Sequence, residues 1–212
     1  MSEQYYDQDY FEWQKRIGTF GGLANKFKFE PFISPTDHIL DFGCGGGYLL
    51  KNLECAIRSG IDINPAAREI AEQNGVTVYA SIDDVPSDYA DVVICHNVLE
   101  HLECPLHDVR AVLPKVKPGG RAVFVILNQM PWEKYVANDI NRHLYTWNPM
   151  TLGTLLEVAG FVNVQVDVIR HMWPPNYLEV YERWGQRIFD LICRMRARRK
   201  QNYQIRAVAE RA

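Results

Sequence analysis

The stretch His38-Ile39-Leu40-Asp41-Phe42-Gly43-Cys44-Gly45-Gly46-Gly47-Tyr48 decides how the rest of the chain reads. Ile39, Leu40 and Phe42 make a short apolar strand that stops at four glycines in five positions. Glycine takes backbone angles that other residues resist, and it lets a ligand lie against the main chain. Residues 48–53 read as helical, which would turn their free N–H groups back towards the loop. A polar or anionic ligand is expected there.

Outward from this loop, strands alternate with helices. Residues 56–63 read as a second strand ending in Asp62, and Asn64-Pro65 as a helix start, with Asn as cap and Pro in the first turn. That helix runs to about residue 73 and stops near Gly75. Further strands are expected at 76–79, 91–95, 121–127, 162–169 and 203–209. Helices are expected from Pro105 and from Asn148-Pro149 to Gly160, and the turn Pro118-Gly119-Gly120 precedes the fifth strand. The pattern implies an α/β fold: a doubly wound, mostly parallel seven-stranded sheet with helices on both faces. Ligands in such sheets bind at the carboxyl ends of strands, where the glycine loop and Asp62 both fall.

Spacing narrows the ligand. A dinucleotide site needs G-x-G-x-x-G/A, whose third small residue permits close helix–strand packing. That position is Tyr48, which opposes NAD or FAD. No G-K-[ST] follows, so a P-loop is excluded. The remaining D-x-G-x-G-x-G pattern suits a ligand with an amino-acid end and a nucleoside end.

The chain has 212 residues and a net charge of −3. From Arg183 onwards there are nine Lys/Arg against two Asp/Glu, a balance of +7, so the preceding residues carry −10. Five scattered cysteines form no Cys-x-x-Cys, so neither a disulfide framework nor a zinc ribbon is suggested, and no metal is expected. Free thiols in apolar runs fit a reducing compartment, and the acidic, polar start is unlike a signal peptide. A cytoplasmic location follows as an expectation.

The motifs together resemble the class I S-adenosylmethionine-dependent methyltransferases. The matching stretches are Leu40 to Gly47; Gly60-Ile61-Asp62-Ile63-Asn64-Pro65; Ala90 to Ile94 with Val98-Leu99-Glu100-His101-Leu102; and Leu113 to Gly120. The "LEHL" turn is similar to that of small-molecule members, many of which act on oxygen. The resemblance covers about residues 36–169 and implies a Rossmann-like methyltransferase fold with S-adenosyl-L-methionine as cofactor and S-adenosyl-L-homocysteine as product. It implies that Gly43, Gly45 and Gly47, with Cys44 between them, pass beneath the methionine part. Asp41 would hold the loop and meet the cofactor's ammonium, directly or through water. Asp62 would accept from the ribose hydroxyls, and Ile63 would lie against adenine. Ser81 and Ile82 stand where the family often has an acid touching the adenine amino group, and His96 would line the methionine end through its backbone.

For an oxygen acceptor a proton must be removed, and histidine is the usual acceptor. Among His96, His101, His143 and His171, the catalytic candidates are His143 and His101. His101 lies in the LEHL turn, and His143 in the long 128–148 connection, of the kind that often carries function. The (N/D)-P-P-(Y/F/W) turn of amino-methylating members is replaced by His96-Asn97-Val98-Leu99, so a nucleic-acid acceptor is not expected. The expected acceptor is a small molecule, free or linked to a lipid or sugar, methylated at a hydroxyl. N- or C-methylation and a non-catalytic cofactor-binding partner subunit stand as alternatives.

Residues 1–35, with helices at about 7–16 and 20–32, read as a helical lid, and 36–212 as the cofactor-binding domain with a helical insertion at about 171–200. In that insertion Tyr177, Tyr181, Trp184, Ile188, Leu191 and Met195 form one apolar stripe at alternating spacings of four and three. Packing on the domain, homodimerisation, or peripheral membrane contact through 176–199 are the readings of that stripe.

Overall fold

A computed structural model describes residues 18–129, 134–137, 139 and 141–212. The expected helix at 7–16 lies outside these residues. Helix α1 is described over 18–25 and runs into short 3-10 turns at Lys26–Lys28 and Glu30–Phe32. The strands are β1 (His38–Phe42), β2 (Ile57–Ile61), β3 (Thr77–Tyr79), β4 (Ala90–His96), β5 (Val116–Leu127), β6 (Val162–Ile169) and β7 (Gln204–Glu210). The helices are α2 (Pro65–Gln73), α3 (Pro105–Val112), α4 (Pro149–Ala159) and α5 (Tyr177–Lys200).

One seven-stranded sheet has the order β3-β2-β1-β4-β5-β7-β6. The first five strands are parallel, and β7 runs antiparallel to both β5 and β6. The order reverses between β1 and β4, which opens a crevice at their carboxyl ends. Period-two alternation splits the core between the two faces. Leu40, Val93, Cys95, Phe124 and Ile126 pack with Leu152 and Leu156 of α4. Ile39, Val92, Ile94, Val123 and Val125 pack on the other side with Ala71 of α2, Leu50 and Phe29.

The caps form as their residues dictate. Asn64 accepts from the Ala66 N–H at 3.0 Å. Asn148 and Thr151 cap α4 reciprocally, and Gly160 closes it at φ +110°.

Four expectations are corrected, the first being the helix at about 20–32, which ends at residue 25 and gives way to the two 3-10 turns. Residues 48–53 form a single 3-10 turn at Leu50–Asn52, not an α-helix. The N–H groups of Asn52 and Leu53 close onto the Leu49 and Leu50 carbonyls at 3.0 and 3.1 Å, and Arg58 donates to the Leu50 and Leu53 carbonyls at 2.9 and 2.8 Å. The Pro118-Gly119-Gly120 segment lies inside β5 as a bulge, since the register jumps from Ala90–Val116 to Val92–Arg121. The apolar stripe of α5 is not one face. Gly185, at φ +70° and ψ 176°, breaks the helical register. Tyr177 and Tyr181 pack inward beside Phe189 and Cys193, whereas Trp184, Ile188, Leu191 and Met195 stand exposed.

Candidate functional site

Gly43, Gly45 and Gly47 hold φ of +84°, +51° and +69°, a left-handed alternation that favours glycine. A Cβ on Gly43 would overlap the Val98 side chain, so the loop and the turn after β4 meet at backbone distance. The N–H groups of Gly43 and Cys44 both donate to the Ile61 carbonyl at 2.9 Å, locking the loop to β2. Gly45 N–H donates to Asp62 Oδ2 at 2.8 Å, and Asn64 N–H to Asp62 Oδ1 at 2.9 Å. The carboxylate is thus fixed between loop and helix start, with lone pairs left on both oxygens. Burial raises the Asp62 pKa, and those two N–H donors and Arg68 oppose the rise. Beside it, Ile63 presents its side chain to solvent.

A cleft of about 260 Å³ opens over the loop. Asp41, Gly43, Cys44 and Gly45 line its floor, His96 and Asn97 one wall, and Gly18, Gly22 and Asn25 of α1 the other, with Trp173 at its edge. Asp41 is 2 % exposed, and its Oδ1 has no hydrogen-bond partner among the described residues. Burial, and next the neighbouring Asp62 charge, push its pKa up to about 8. A buried acceptor without a donor, set in a cleft, fits a cationic group.

Helix α1 seats directly on the loop. A Cβ on Gly22 would fall onto the Tyr48 carbonyl, and one on Gly18 onto the Tyr48 ring. Gly22→Ala is therefore expected to destabilise the fold by about 1–3 kcal/mol as the helix is forced off the loop. Differential scanning fluorimetry would read this as a lowered thermal midpoint, and an unchanged midpoint would contradict the close seating.

Beneath the β4 wall lies a lysine that the sequence reading passed over. Lys28 is 2 % exposed; its Nζ is 3.3 Å from His96 Nε2 and donates to Gln204 Oε1. Gln204 Nε2 donates to Asn97 Oδ1 at 3.2 Å, so the lysine braces both residues of that wall. Burial holds Lys28 down to about 7, and burial followed by the Lys28 charge holds His96 well below the usual histidine value. A lysine between two phenylalanines, Phe27 and Phe29, was the available signal.

His101 and His143 come together across 42 residues, with ring centroids 4.8 Å apart and planes at 69°. The N–H groups of Leu144 and Tyr145 donate to the Glu100 carbonyl at 2.8 and 3.3 Å, which docks the long connection on the LEHL turn. Glu100 is 2 % exposed, and neither carboxylate oxygen completes a hydrogen bond with a described residue. Burial pushes its pKa up to about 7, and burial followed by the His143 charge pulls His101 down to about 4. Side-chain donor atoms of Glu100, His101 and His143 all lie within 4.8 Å of one another. Two imidazoles and a carboxylate at that spacing could move a proton or hold a metal ion. Glu100 was not singled out from the sequence, although it adjoins His101.

Of the residues expected to bind cofactor, the cleft gathers Asp41, Gly43, Cys44, Gly45 and His96. Gly47 faces away from it, and a Cβ there would press on Ala71 and Val76. Asp62 and Ile63 follow β2, and Ser81 and Ile82 follow β3, on the strands next to β1. The Ser81 hydroxyl caps the following turn by accepting from the Asp83 N–H at 3.2 Å, and Ile82 packs against the core. His171, the other histidine weighed, sits apart beside Asp190.

A family described as methyltransferase domain matches residues 12–166, more than two thirds of the chain. The ubiquinone biosynthesis O-methyltransferase of Vibrio vulnificus is 34% identical over 136 residues, 55% of this chain and 58% of that protein. The enzyme of that name in Pseudomonas savastanoi is 38% identical over 106 residues, 44% of this chain and 45% of the relative. The chain thus aligns with little more than half the length of these curated relatives at most. An S-adenosylmethionine-dependent methyltransferase from Thermotoga maritima, described as a possible histamine N-methyltransferase, superposes with a TM-score of 0.72 at 13% identity, covering 99% of this chain and 98% of the other. One from Archaeoglobus fulgidus gives 0.67 at 20% identity, covering 96% and 100%. The glycine loop, the acid after β2, the LEHL turn and the antiparallel β7 all fall within one architecture, and the chain belongs to the methyltransferase domain family.

Proposed function

We propose that this protein transfers a methyl group from S-adenosyl-L-methionine to a hydroxyl oxygen of a small-molecule acceptor. The observation that carries the reading is the buried, unpartnered Asp41 Oδ1 in a glycine-floored cleft. An amino-acid ammonium satisfies that acceptor. The remaining lone pairs of Asp62 suit two vicinal ribose hydroxyls, and the exposed Ile63 suits an adenine face. Ser81 and Ile82 flank the nucleoside end of the site. Bound there, the cofactor supplies a methyl group already activated by a positively charged sulfur. His143 and His101 accept the acceptor's proton, and the Glu100 carboxylate offsets the charge that forms. Lys28 stiffens the His96–Asn97 wall that orients the acceptor.

Residues 1–35 act as a lid in this reading, with α1 its described part, over a domain spanning 36–212. The names of the relatives support oxygen as the acceptor atom. A cytoplasmic location belongs to the same reading, since the free thiols of Cys44, Cys95 and Cys193 are kept reduced there.

Calorimetric titration of S-adenosyl-L-homocysteine tests the core of the proposal. Wild type is expected to bind in the micromolar range, and Asp62→Ala to bind at least tenfold more weakly through loss of a charged acceptor (roughly 1.5–3 kcal/mol). No saturable binding to wild type would sink it.

A further inference from the structure

We propose that the outward face of α5 docks on an anionic lipid bilayer, its apolar ridge entering the acyl boundary and its arginines meeting lipid phosphates. The ridge is Ile188, Leu191 and Met195, exposed by 42, 51 and 53 %, with Trp184, 56 % exposed, just ahead of the Gly185 break. Single exposed apolar side chains are ordinary, but three at spacings of three and four on the continuous helix after Gly185, with an exposed Trp184 beside its start, are not scattered. The opposite face of the helix is already used, with Phe189, Cys193 and Ala197 buried.

Charge runs alongside the ridge. Arg187, Arg194 and Arg198 follow one flank at spacings of seven and four. Arg194 and Arg198 also line a cavity of about 390 Å³ between α5 and the end of β6, together with Arg170 and His171. One acid, Asp190, lines that cavity, and it is engaged by His171 Nε2 at 3.0 Å and by Gln186 Nε2 at 3.0 and 3.1 Å. The buried His171 keeps an Nδ1 with no hydrogen-bond partner among the described residues. Three guanidinium groups against one occupied carboxylate make the cavity complementary to an anion such as a phosphodiester.

The two features together select the occupant. A soluble phosphate would use the cavity and leave the ridge in water. A second copy of this chain, paired face to face, would bring two arginine rows together. An anionic bilayer satisfies both, as amphipathic helices with arginines beside aromatic and aliphatic residues do. Trp184, with the Arg183 guanidinium 5.1 Å from its ring, is the kind of residue found at headgroup depth. The inner face of α5 packs on α1, with Phe20 and Phe189 ring centroids 5.5 Å apart, and α1 walls the cleft. A bilayer on α5 therefore lies one helix layer from the cleft, where a membrane-dissolved acceptor would be delivered.

The test is flotation of the full chain with phosphatidylcholine vesicles, with and without phosphatidylglycerol. Binding is expected only to the anionic vesicles and is expected to fall as salt is raised. Leu191→Glu should weaken it at least tenfold, and Arg194→Glu with Arg198→Glu should weaken it by roughly fivefold or more per site. All three positions face solvent or the cavity, so circular dichroism and S-adenosyl-L-homocysteine binding should stay at wild-type levels. The proposal is overturned if wild type does not float with anionic vesicles, or if Leu191→Glu floats as well as wild type. It is also overturned if inorganic phosphate binds the arginine cavity while vesicles do not, or if the ridge instead holds a dimer that Leu191→Glu dissociates. Because vesicle binding is read without catalysis, the outcome is independent of the methyl-transfer assignment.

Discussion

Asp41→Asn is expected to make the ligand-free protein more stable and to abolish its affinity for S-adenosyl-L-homocysteine. The Asp41 carboxyl is buried at the end of β1, and its pKa is raised from 3.8 to about 8 by burial and by the charge of Asp62. Below about pH 4 the folded and unfolded chains both hold the proton. Between 4 and 8 the unfolded chain has released it while the folded chain keeps it, so stability falls as pH rises through that window and levels off above 8. The full penalty is at most about 6 kcal/mol at roughly 1.4 kcal/mol per unit. Asparagine keeps the shape without the charge, so the variant's advantage in urea denaturation should be absent at pH 4 and largest near pH 8. It also removes the partner for an ammonium at a buried carboxyl, where such a pair is worth about 3–5 kcal/mol, or more than a hundredfold in affinity. In wild type the carboxyl must lose its proton to face the ammonium. Affinity should therefore rise about tenfold per pH unit below 8, with release of a proton that titrations in two buffers would detect. An Asp41→Asn protein that is no more stable than wild type at pH 8, yet binds normally, would remove Asp41 from the site.

The features that could be read from the sequence are those fixed by local chemistry. Three alternate glycines after an apolar strand require left-handed backbone, and Gly43, Gly45 and Gly47 have it. Asn64-Pro65 and Asn148-Pro149 cap helices because an amide oxygen and a ring-fixed φ suit a first turn wherever they occur. What escaped reading depends on partners far along the chain. Residues 48–53 close as one 3-10 turn whose Leu50 and Leu53 carbonyls are held by Arg58 on the next strand. Lys28 looks like a surface lysine until Gln204, 176 residues later, arrives beside it. Glu100 and His101 gain His143 only because the Glu100 carbonyl receives two N–H groups from the 141–148 segment. Periodicity assumed a straight α5, but the register breaks at Gly185, and Ile188, Leu191 and Met195 beyond it stand exposed while Tyr177 and Tyr181 before it pack inward.

His143→Ala is expected to lower kcat for a phenolic acceptor by about 10²–10⁴, the usual worth of a positioned base, while leaving S-adenosyl-L-homocysteine affinity within about twofold. The separation follows from the geometry, since neither His143 nor His101 lines the glycine-floored cleft. The pH profile assigns the parts. His101, held near 4, stays unprotonated throughout the neutral range and contributes no limb there. Glu100, raised to about 7, is neutral below that pH and ionised above it. Only the ionised form can offset an imidazolium, so kcat/KM should climb from pH 6 to 8 with an apparent pKa near 7. Glu100→Gln should keep the cofactor affinity, lower the plateau and remove the limb. A metal held by the same three residues would behave differently: dialysis against a chelator would then abolish turnover, and added divalent ion would restore it. The expected result is unchanged turnover after chelation, because a proton-transfer pair needs only the two imidazoles and their neighbouring carboxylate. Loss of activity on chelation would make Glu100, His101 and His143 ligands instead of bases. Full activity in both His143→Ala and His101→Ala would point to an acceptor with no proton for a histidine to take, an amine or carbon nucleophile in the same cleft.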